Sequence, residues 1–83
     1  MTKIKSYLLF TTPFCKFCPS VKQFLSTMEM QGNHIDATKD EGTRKAIDLK
    51  VTKVPTVIFL DDSGKELTRA HSVYEIRDVL SDD

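Results

Sequence analysis

Two cysteines, Cys15 and Cys18, lie three positions apart between a run of strand-forming residues and a run with helical periodicity. The preceding run, Ile4–Phe10, is apolar and of strand length, and it ends at the turn-forming sequence Thr11-Thr12-Pro13. From Cys15 onward, apolar residues recur on one helical face, namely Phe17, Cys18, Val21, Phe24, Leu25 and Met28. The cysteine pair is therefore predicted to lie where a first strand ends and a first helix begins, with Phe17 in the core.

The middle of the chain continues this alternation of strand and helix. Gly32-Asn33 is predicted to end the first helix, and a short strand is predicted at His34–Ala37. Asp40 or Thr43 can cap a second helix. The inward-facing residues of that helix are predicted to be Ala46, Ile47 and Leu49.

The last third of the chain predicts a strand, a hairpin and a closing helix. Thr56–Leu60 is rich in β-branched and aromatic residues, which is typical of a buried strand. Asp61–Gly64 has the composition of a hairpin turn, and Lys65–Arg69 is predicted to return as an edge strand. Ser72–Glu75 is a capping box that starts a helix with Ile76, Val79 and Leu80 facing inward. The order β-α-β-α-β-β-α predicts an α/β fold in which three helices flank a mixed four-stranded sheet.

Length and composition limit the classes of protein to consider. The chain has 83 residues, enough for one small domain (1–83), and 40% of them are hydrophobic, too many for a disordered chain. Twelve basic and twelve acidic residues cancel, so no basic field is available to bind nucleic acid or an anionic membrane. No apolar run approaches the length of a membrane span, and the early first strand leaves no room for a signal peptide. We therefore expect a cytoplasmic protein that is most simply a monomer.

The cysteine pair is poorly suited to a purely structural role. A disulfide between Cys15 and Cys18 would close a very short loop, and the stabilisation that a disulfide provides grows with loop length. In a reducing cytosol such a bridge would also tend to be reduced. Zinc needs four ligands at short spacings, and the other candidates, His34 and His71, are far from the cysteines in the sequence. We therefore expect redox chemistry and no metal site.

The predicted location gives the two cysteines different chemistry. Backbone N–H groups at the start of a helix lack intrahelical partners and carry the positive end of the helix dipole. Together with the charge of Lys16, they should lower the pKa of Cys15 below the free value of about 8.5. Cys18 lies on the apolar face, where it should be shielded. Cys15 is therefore predicted to attack a partner disulfide, and Cys18 to resolve the mixed disulfide.

A Cys-x-x-Cys motif ahead of a helix in a β-α-β unit resembles the redox site of the thioredoxin/glutaredoxin superfamily. A second mark is Val51–Thr56, which resembles the segment that carries a cis-proline facing the cysteines in that superfamily. The resemblance covers nearly the whole chain and implies a thioredoxin-like fold with a cis Val54–Pro55 peptide bond. At this length the chain is similar to the minimal form shared by glutaredoxins, archaeal and phage mini-thioredoxins, and the small redoxins that serve ribonucleotide reductase.

The resemblance implies a thiol–disulfide oxidoreductase, a dithiol electron donor to disulfide-containing client proteins such as ribonucleotide reductase. Its redox-active group would be the Cys15–Cys18 disulfide, with no other cofactor. Thioredoxin reductase or glutathione would return it to the dithiol form. Glutaredoxins hold glutathione with a glycine pair and acidic segment where this chain has Ala70-His71-Ser72-Val73, which favours protein partners. The alternatives are a glutathione-dependent glutaredoxin, or a non-enzymatic binding or metal-bridged module with a thioredoxin fold.

The resemblance also implies a set of substrate-binding residues around the cysteines. The backbone of Val54, before Pro55, would pair with the extended backbone of the client. Phe14 and Lys16 flank the nucleophile, and an aromatic side chain there supplies contact area at low entropy cost. His71 either precedes the cap of the last helix as a packing residue or lines the client groove.

Overall fold

Seven elements follow one another in the order expected from the sequence. The computed structural model describes residues 3–82. Its strands are β1 (Ser6–Thr11), β2 (Gln31–Asp36), β3 (Thr56–Leu60) and β4 (Glu66–Ala70). Its helices are α1 (Cys18–Ser26), α2 (Asp40–Asp48) and α3 (Val73–Asp82). None of the helices within residues 3–82 is long and apolar enough to cross a membrane.

The four strands form one mixed sheet in the order β2-β1-β3-β4. Strand β1 runs parallel to β2 and antiparallel to β3, and β3 is antiparallel to β4. The parallel pair is joined through α1, and the last two strands form a hairpin. This is the thioredoxin-like arrangement that the sequence predicted.

The helices cover both faces of the sheet because successive side chains of a strand point to opposite sides. On one face a buried cluster packs against α1 and α3: Ile4, Leu9, Val21, Leu25, Val57, Phe59, Ala70 and Ile76. On the other face a smaller cluster packs against α2: Leu8, Phe10, Ala46 and Ile58. The two central strands therefore carry the core of both layers.

The strand register gathers the loops of interest at one edge of the sheet. Phe10 of β1 lies opposite Thr56 of β3, so β3 starts beside the end of β1. Asp36 at the end of β2 lies opposite Thr11, and β4 ends at Ala70, opposite Val57. The segment after β1, which carries both cysteines, therefore shares this edge with the ends of β2 and β4.

Helix α1 starts later than the sequence predicted. It begins at Cys18, and Phe17 is its N-cap residue, with a side chain that is 69% exposed. The prediction of Phe17 as a core residue was therefore wrong. Pro19 lies in the first turn of the helix, and because proline has no N–H to donate to the carbonyl four residues earlier, the helix cannot extend back to Cys15.

Strand β2 is longer than predicted and includes Gly32 and Asn33, for which the sequence predicts a helix-ending turn. Helix α1 has already ended at Ser26. Gly32 pairs with Tyr7 across the sheet, and a Cβ atom at Gly32 would lie 2.1 Å from Cζ of the tyrosine ring. Position 32 therefore suits glycine, because the Tyr7 ring occupies the space that a side chain there would fill.

Helix α2 differs from its prediction in its cap and in one inward residue. Lys39 is the N-cap residue and makes no side-chain capping bond, whereas the Thr43 hydroxyl donates to the Ala37 carbonyl at 2.7 Å. Ala46 is buried as predicted, but Ile47 is 70% exposed. A nine-residue helix seated on the flank of a sheet buries a narrow stripe, and Ile47 falls outside it.

Candidate active site

The two cysteines form a disulfide at the start of α1. The Cα atoms of Cys15 and Cys18 are 5.4 Å apart. Cys18, the first residue of the helix, is only 5% exposed, whereas Cys15 in the preceding loop is half-buried. The Cys15 N–H donates to the Thr12 carbonyl at 3.3 Å, which closes the turn before the helix. The structure therefore represents the oxidised form, in which Cys18 is the more buried of the two cysteines.

The loop that carries Cys15 is surrounded by exposed side chains. Phe14, immediately before the cysteine, is 91% exposed, and Lys16 and Phe17 after it are also exposed. Exposed apolar residues that form a contiguous patch commonly mark an interaction surface. Phe14 and Lys16 thus lie where the sequence expected them, and Phe17 joins them.

The Val54–Pro55 peptide bond is cis, as the family resemblance implied. Pro55 is buried and Val54 is half-buried. Because Thr56 pairs with Phe10, the two residues before Thr56 lie alongside the segment Thr11-Thr12 that leads to the cysteine loop. The cis-proline and the disulfide therefore occupy the same edge of the sheet.

His71 links the cis-proline to the start of α3. Its Nδ1 atom is 3.3 Å from the Pro55 carbonyl oxygen and 3.1 Å from the Thr56 hydroxyl. Since the Thr56 hydroxyl donates to the Lys53 carbonyl at 2.6 Å, its oxygen accepts from the imidazole. We therefore assign the proton of neutral His71 to Nδ1, which leaves Nε2 as an acceptor.

The predicted capping box at the start of α3 is present with one shift. The Glu75 N–H donates to the Ser72 hydroxyl at 3.1 Å, as in the usual arrangement. The Glu75 carboxylate accepts from the N–H of His71 at 2.9 Å, one residue before the cap. This bond fixes the backbone of His71 beside Pro55.

An apolar groove lies between α1 and the start of α3. It has a volume of about 370 Å³ and is lined by Phe17, Ser20, Val21, His71, Ser72, Val73 and Tyr74. Tyr74 is 78% exposed and Phe17 is 69% exposed. The groove borders the cysteine motif through Phe17 and the cis-proline through His71.

A second groove, called the polar groove here because Lys22, His34 and Asp36 are among its lining residues, opens beside the disulfide. It has a volume of about 350 Å³ and is lined by Thr11, Thr12, Pro13, Cys15, Cys18, Pro19, Lys22, His34 and Asp36. The buried Thr11 hydroxyl is hydrogen-bonded to Nε2 of His34. Both cysteines face this groove, including Cys18.

Two groups in the polar groove have shifted pKa values. Loss of hydration and the charge of Lys22 lower the pKa of His34, and the carboxylate of Asp36 partly opposes that shift. The Thr38 hydroxyl and N–H donate to the Asp36 carboxylate at 2.6 and 2.8 Å. These bonds lower the pKa of Asp36, so at neutral pH the groove contains a neutral imidazole and an ionised carboxylate.

Comparison with known proteins agrees with this site. The family model for glutaredoxin matches residues 7–63, which include both cysteines and the cis-proline. The chain belongs to the glutaredoxin family. No curated protein matches the sequence of this glutaredoxin-family chain.

Solved structures of thioredoxins share the fold of this glutaredoxin-family protein. Oxidised thioredoxin O2 from Arabidopsis thaliana superimposes with a TM-score of 0.81 at 17% identity, over 96% of this chain and 75% of that one. Fasciola hepatica thioredoxin gives 0.76 at 23% identity, over 98% and 82%. Thioredoxin 1 from Thermosipho africanus gives 0.70 at 24% identity, over 92% and 86%.

The family and the disulfide together identify the protein as a thiol–disulfide oxidoreductase. Within residues 3–82, no group of three or more histidine, cysteine, aspartate or glutamate side chains is placed to hold a metal ion.

Sequence reasoning missed the polar groove. His34 was considered only as a metal ligand far from the cysteines in the sequence, yet it shares a groove with both of them. A signal was available, because parallel strands joined by a helix end at the same edge of a sheet. The end of β2 therefore had to lie beside the segment that follows β1.

Proposed function

We propose that this protein reduces disulfide bonds in client proteins, with Cys15 as the attacking cysteine and Cys18 as the resolving one. The thiolate of Cys15 attacks one sulfur of the client, forms a mixed disulfide and releases the other client sulfur as a thiolate. Cys18 then loses its proton and attacks Cys15, which breaks the bond to the client. The products are a client dithiol and the Cys15–Cys18 disulfide.

The observation that carries this proposal is the difference in burial between two bonded cysteines at a helix start. Cys15 is the more accessible cysteine, and the positive end of the α1 dipole and the charge of Lys16 would favour its thiolate. Cys18, 5% exposed, is protected from external disulfides but remains bonded to Cys15. This asymmetry supports one attacking and one resolving role.

The surroundings support a client that binds as an extended segment. The Val54 backbone, next to cis-Pro55, is available to pair with the client backbone, as in the superfamily. Phe14 and Lys16 would contact the client beside its disulfide, and His71 would form part of the wall on the other side. The apolar groove would hold an apolar client side chain. The family relationship suggests ribonucleotide reductase as one client. The reaction would take place in a reducing cytosol.

Reduction of insulin disulfides, followed by turbidity, tests the assignment of the cysteines. Cys15→Ser is expected to abolish turnover and to form no mixed disulfide. Cys18→Ser, the matched control, is expected to lose turnover but to trap the client on Cys15, which non-reducing electrophoresis and mass spectrometry detect. Full activity of Cys15→Ser would refute the nucleophile. A client complex that survives loss of both cysteines would favour the non-enzymatic alternative.

The source of electrons is a separate part of the proposal. We infer that thioredoxin reductase with NADPH recharges the protein, because Ala70–Val73 lacks the glycine pair with which glutaredoxins hold glutathione. The family match ends at residue 63, before this segment. Typical potentials are about −270 mV for thioredoxin and about −200 to −230 mV for glutaredoxins. Turnover with each reducing system, and titration against glutathione, would distinguish the two, and faster turnover with glutathione would favour the glutaredoxin alternative.

A further inference from the structure

The resolving step poses a problem of proton transfer. Cys18 must lose its thiol proton before its sulfur can attack Cys15. Its side chain is 5% exposed, and burial disfavours the charged form of a thiol. An acceptor close to Cys18 would therefore accelerate resolution.

The polar groove contains a suitable acceptor. The chain has two histidines, and His34 is the one of them that lines this groove together with Cys18. The hydrogen bond between its Nε2 atom and the buried Thr11 hydroxyl holds the ring at the groove wall. A groove of about 350 Å³ has room for several waters, each of which occupies about 30 Å³ in the liquid.

The surroundings of His34 favour the neutral, basic form of its imidazole, although the carboxylate of Asp36 opposes this in part. Lys22 of α1 faces it from one side, and Asp36 lies further along its own strand. His34 also lines a smaller groove, of about 250 Å³, together with Lys39, Glu41 and Lys45 beside or on α2. Loss of hydration and Lys22 lower the pKa of His34 below its ordinary value of 6.5, so the ring is neutral at pH 7.

We propose that His34 accepts, through water in the polar groove, the proton that Cys18 loses when it attacks the mixed disulfide. In this proposal the Thr11 hydroxyl orients the ring by donating to Nε2, and it takes a proton from the groove water as it passes its own proton to that nitrogen. The Cys18 sulfur bonds to the Cys15 sulfur, the bond from Cys15 to the client breaks, and the client leaves with the electron pair as a thiolate. The imidazolium then returns its proton to solvent or to that thiolate. This inference depends on the proposed roles of the two cysteines.

Stopped-flow reaction of the reduced protein with excess 5,5′-dithiobis(2-nitrobenzoate) separates the two steps. The first thionitrobenzoate is released by attack of Cys15, at a rate that rises with reagent concentration. The second is released by Cys18, at a rate that does not. We expect the second rate in the wild type to reach a plateau near neutral pH and to fall as His34 becomes protonated below pH 6.5.

His34→Gln keeps a hydrogen-bonding side chain but removes the base. We expect its second phase at pH 7 to be about 100-fold slower, the lower end of what general-base catalysis contributes. Its rate should rise about tenfold per pH unit without the neutral plateau, because hydroxide must then remove the Cys18 proton. The first phase should be unchanged. Asn33→Gln, an exposed neighbour on β2, is the matched control and should behave as wild type in both phases.

A His34→Gln variant with the wild-type pH profile in its second phase would overturn the inference. If that variant does not fold, NMR titration of His34 in the wild type provides the test. The pH at the midpoint of the His34 titration must equal the pH at the midpoint of the second-phase rate profile, and a clear difference between the two would also overturn the inference. Failure of the proposed function has a different signature, because the first phase would then survive in Cys15→Ser.

Discussion

At the scale of single residues, Gly42 in α2 has the tightest surroundings of the three glycines. A Cβ atom there would lie 1.9 Å from the carbonyl oxygen of Asp36 and 3.1 Å from Cγ2 of Ile35. The first contact is with backbone, which cannot rotate away. Helix α2 can therefore approach the end of β2 only because this position has no side chain.

We predict that Gly42→Ala destabilises the protein by about 1–3 kcal/mol, the usual cost of overpacking. At an open helical position the same substitution stabilises by about 1 kcal/mol, so the sign of the change is diagnostic. Urea denaturation gives the free energy of unfolding. Arg44→Ala, exposed on the same helix, is the control and should change it by less than about 0.5 kcal/mol. An alanine variant as stable as the wild type would show that α2 can move away from β2.

The chemistry of single residues could be predicted from the sequence where a local pattern determines it. The cysteine spacing identified the bonded pair, and the resemblance of Val51–Thr56 to the superfamily's cis-proline segment implied the cis bond. Phe17 was assigned to the core because an unbroken helical phase was extended back through the motif, past the effect of Pro19. His34 was missed because its partner, Thr11, is 23 residues away and only the strand register joins them.

At the scale of elements, the turn between β3 and β4 is held by one carboxylate. Asp61 accepts from the Ser63 hydroxyl at 2.7 Å, and from the N–H groups of Ser63 and Lys65, each at 2.9 Å. The Ser63 hydroxyl bond and the Lys65 N–H bond are the main causes that lower the pKa of Asp61 from its ordinary value of 3.8. The charged form of this side chain therefore adds to the backbone hydrogen bonds that close the turn.

We predict that Asp61→Asn lowers stability at pH 7 but not in strong acid. Because the folded-state pKa of Asp61 is lowered, its contribution is complete well above pH 3.8 and is lost as the pH falls through the folded-state value. The difference in unfolding free energy between wild type and variant should therefore shrink below pH 3.8. Urea denaturation from pH 7 to 2 measures it. Asp62→Asn is the control, and a wild-type advantage that persists in strong acid would contradict the prediction.

A second link between elements joins β4 to the end of α2. The Arg69 guanidinium donates to the carbonyls of Leu49 and Lys50, and its Nε atom is 2.5 Å from the Glu66 carboxylate. One planar guanidinium group thus donates to two backbone carbonyls at the end of α2, and a lysine side chain cannot reproduce this geometry. Edge strand β4 is thereby tied to the layer on the far side of the sheet from α3.

We predict that Arg69→Met destabilises the protein by about 1–2 kcal/mol, because it leaves the two carbonyls without their charged donor. Glu66→Gln removes only the ion pair, which is partly exposed, and should cost less than about 1 kcal/mol. Thermal or urea denaturation of both variants makes the comparison. Equal losses in the two variants would show that Arg69 stabilises the protein through its ion pair with Glu66 and not through the carbonyls at the end of α2.

Elements were predictable where hydrophobic pattern and turn chemistry agreed. Strand β3 and the Asp61–Gly64 turn have both, and the structure places them as expected. Strand β2 has no hydrophobic pattern, because four of its six residues are exposed, and its Gly32 is typical of the residue that follows a helix. What makes Gly32 part of a strand is the Tyr7 ring on the neighbouring strand, a contact that a local pattern does not contain.

At the scale of the whole molecule, the order of elements predicted the topology, because a parallel pair joined by a helix and a terminal hairpin leave few ways to build one sheet. The sequence could not give the register that brings the ends of β1, β2 and β4 together. That register depends on pairings such as Thr11 with Asp36 and Val57 with Ala70. The two grooves beside the disulfide exist only once those pairings are made.

The redox cycle also requires that the whole molecule stay folded both when the two cysteines are bonded and when they are reduced. The core lies in two clusters on opposite faces of the sheet, and neither includes Cys15 or Cys18. A disulfide between residues three apart closes a loop of four residues, for which the chain-entropy account gives about 2 kcal/mol. Most of the stability must therefore come from the core.

We predict that the reduced protein keeps its fold and that oxidation raises its free energy of unfolding by about 2 kcal/mol or less. Urea denaturation with and without dithiothreitol measures the difference, and Cys15→Ser with Cys18→Ser, which cannot be oxidised, is the control that should not respond to the reductant. Unfolding on reduction would mean that the disulfide is a structural element. A protein that unfolds when reduced could not present an ordered Cys15 to a client, so the same experiment tests whether this fold can sustain the catalytic cycle.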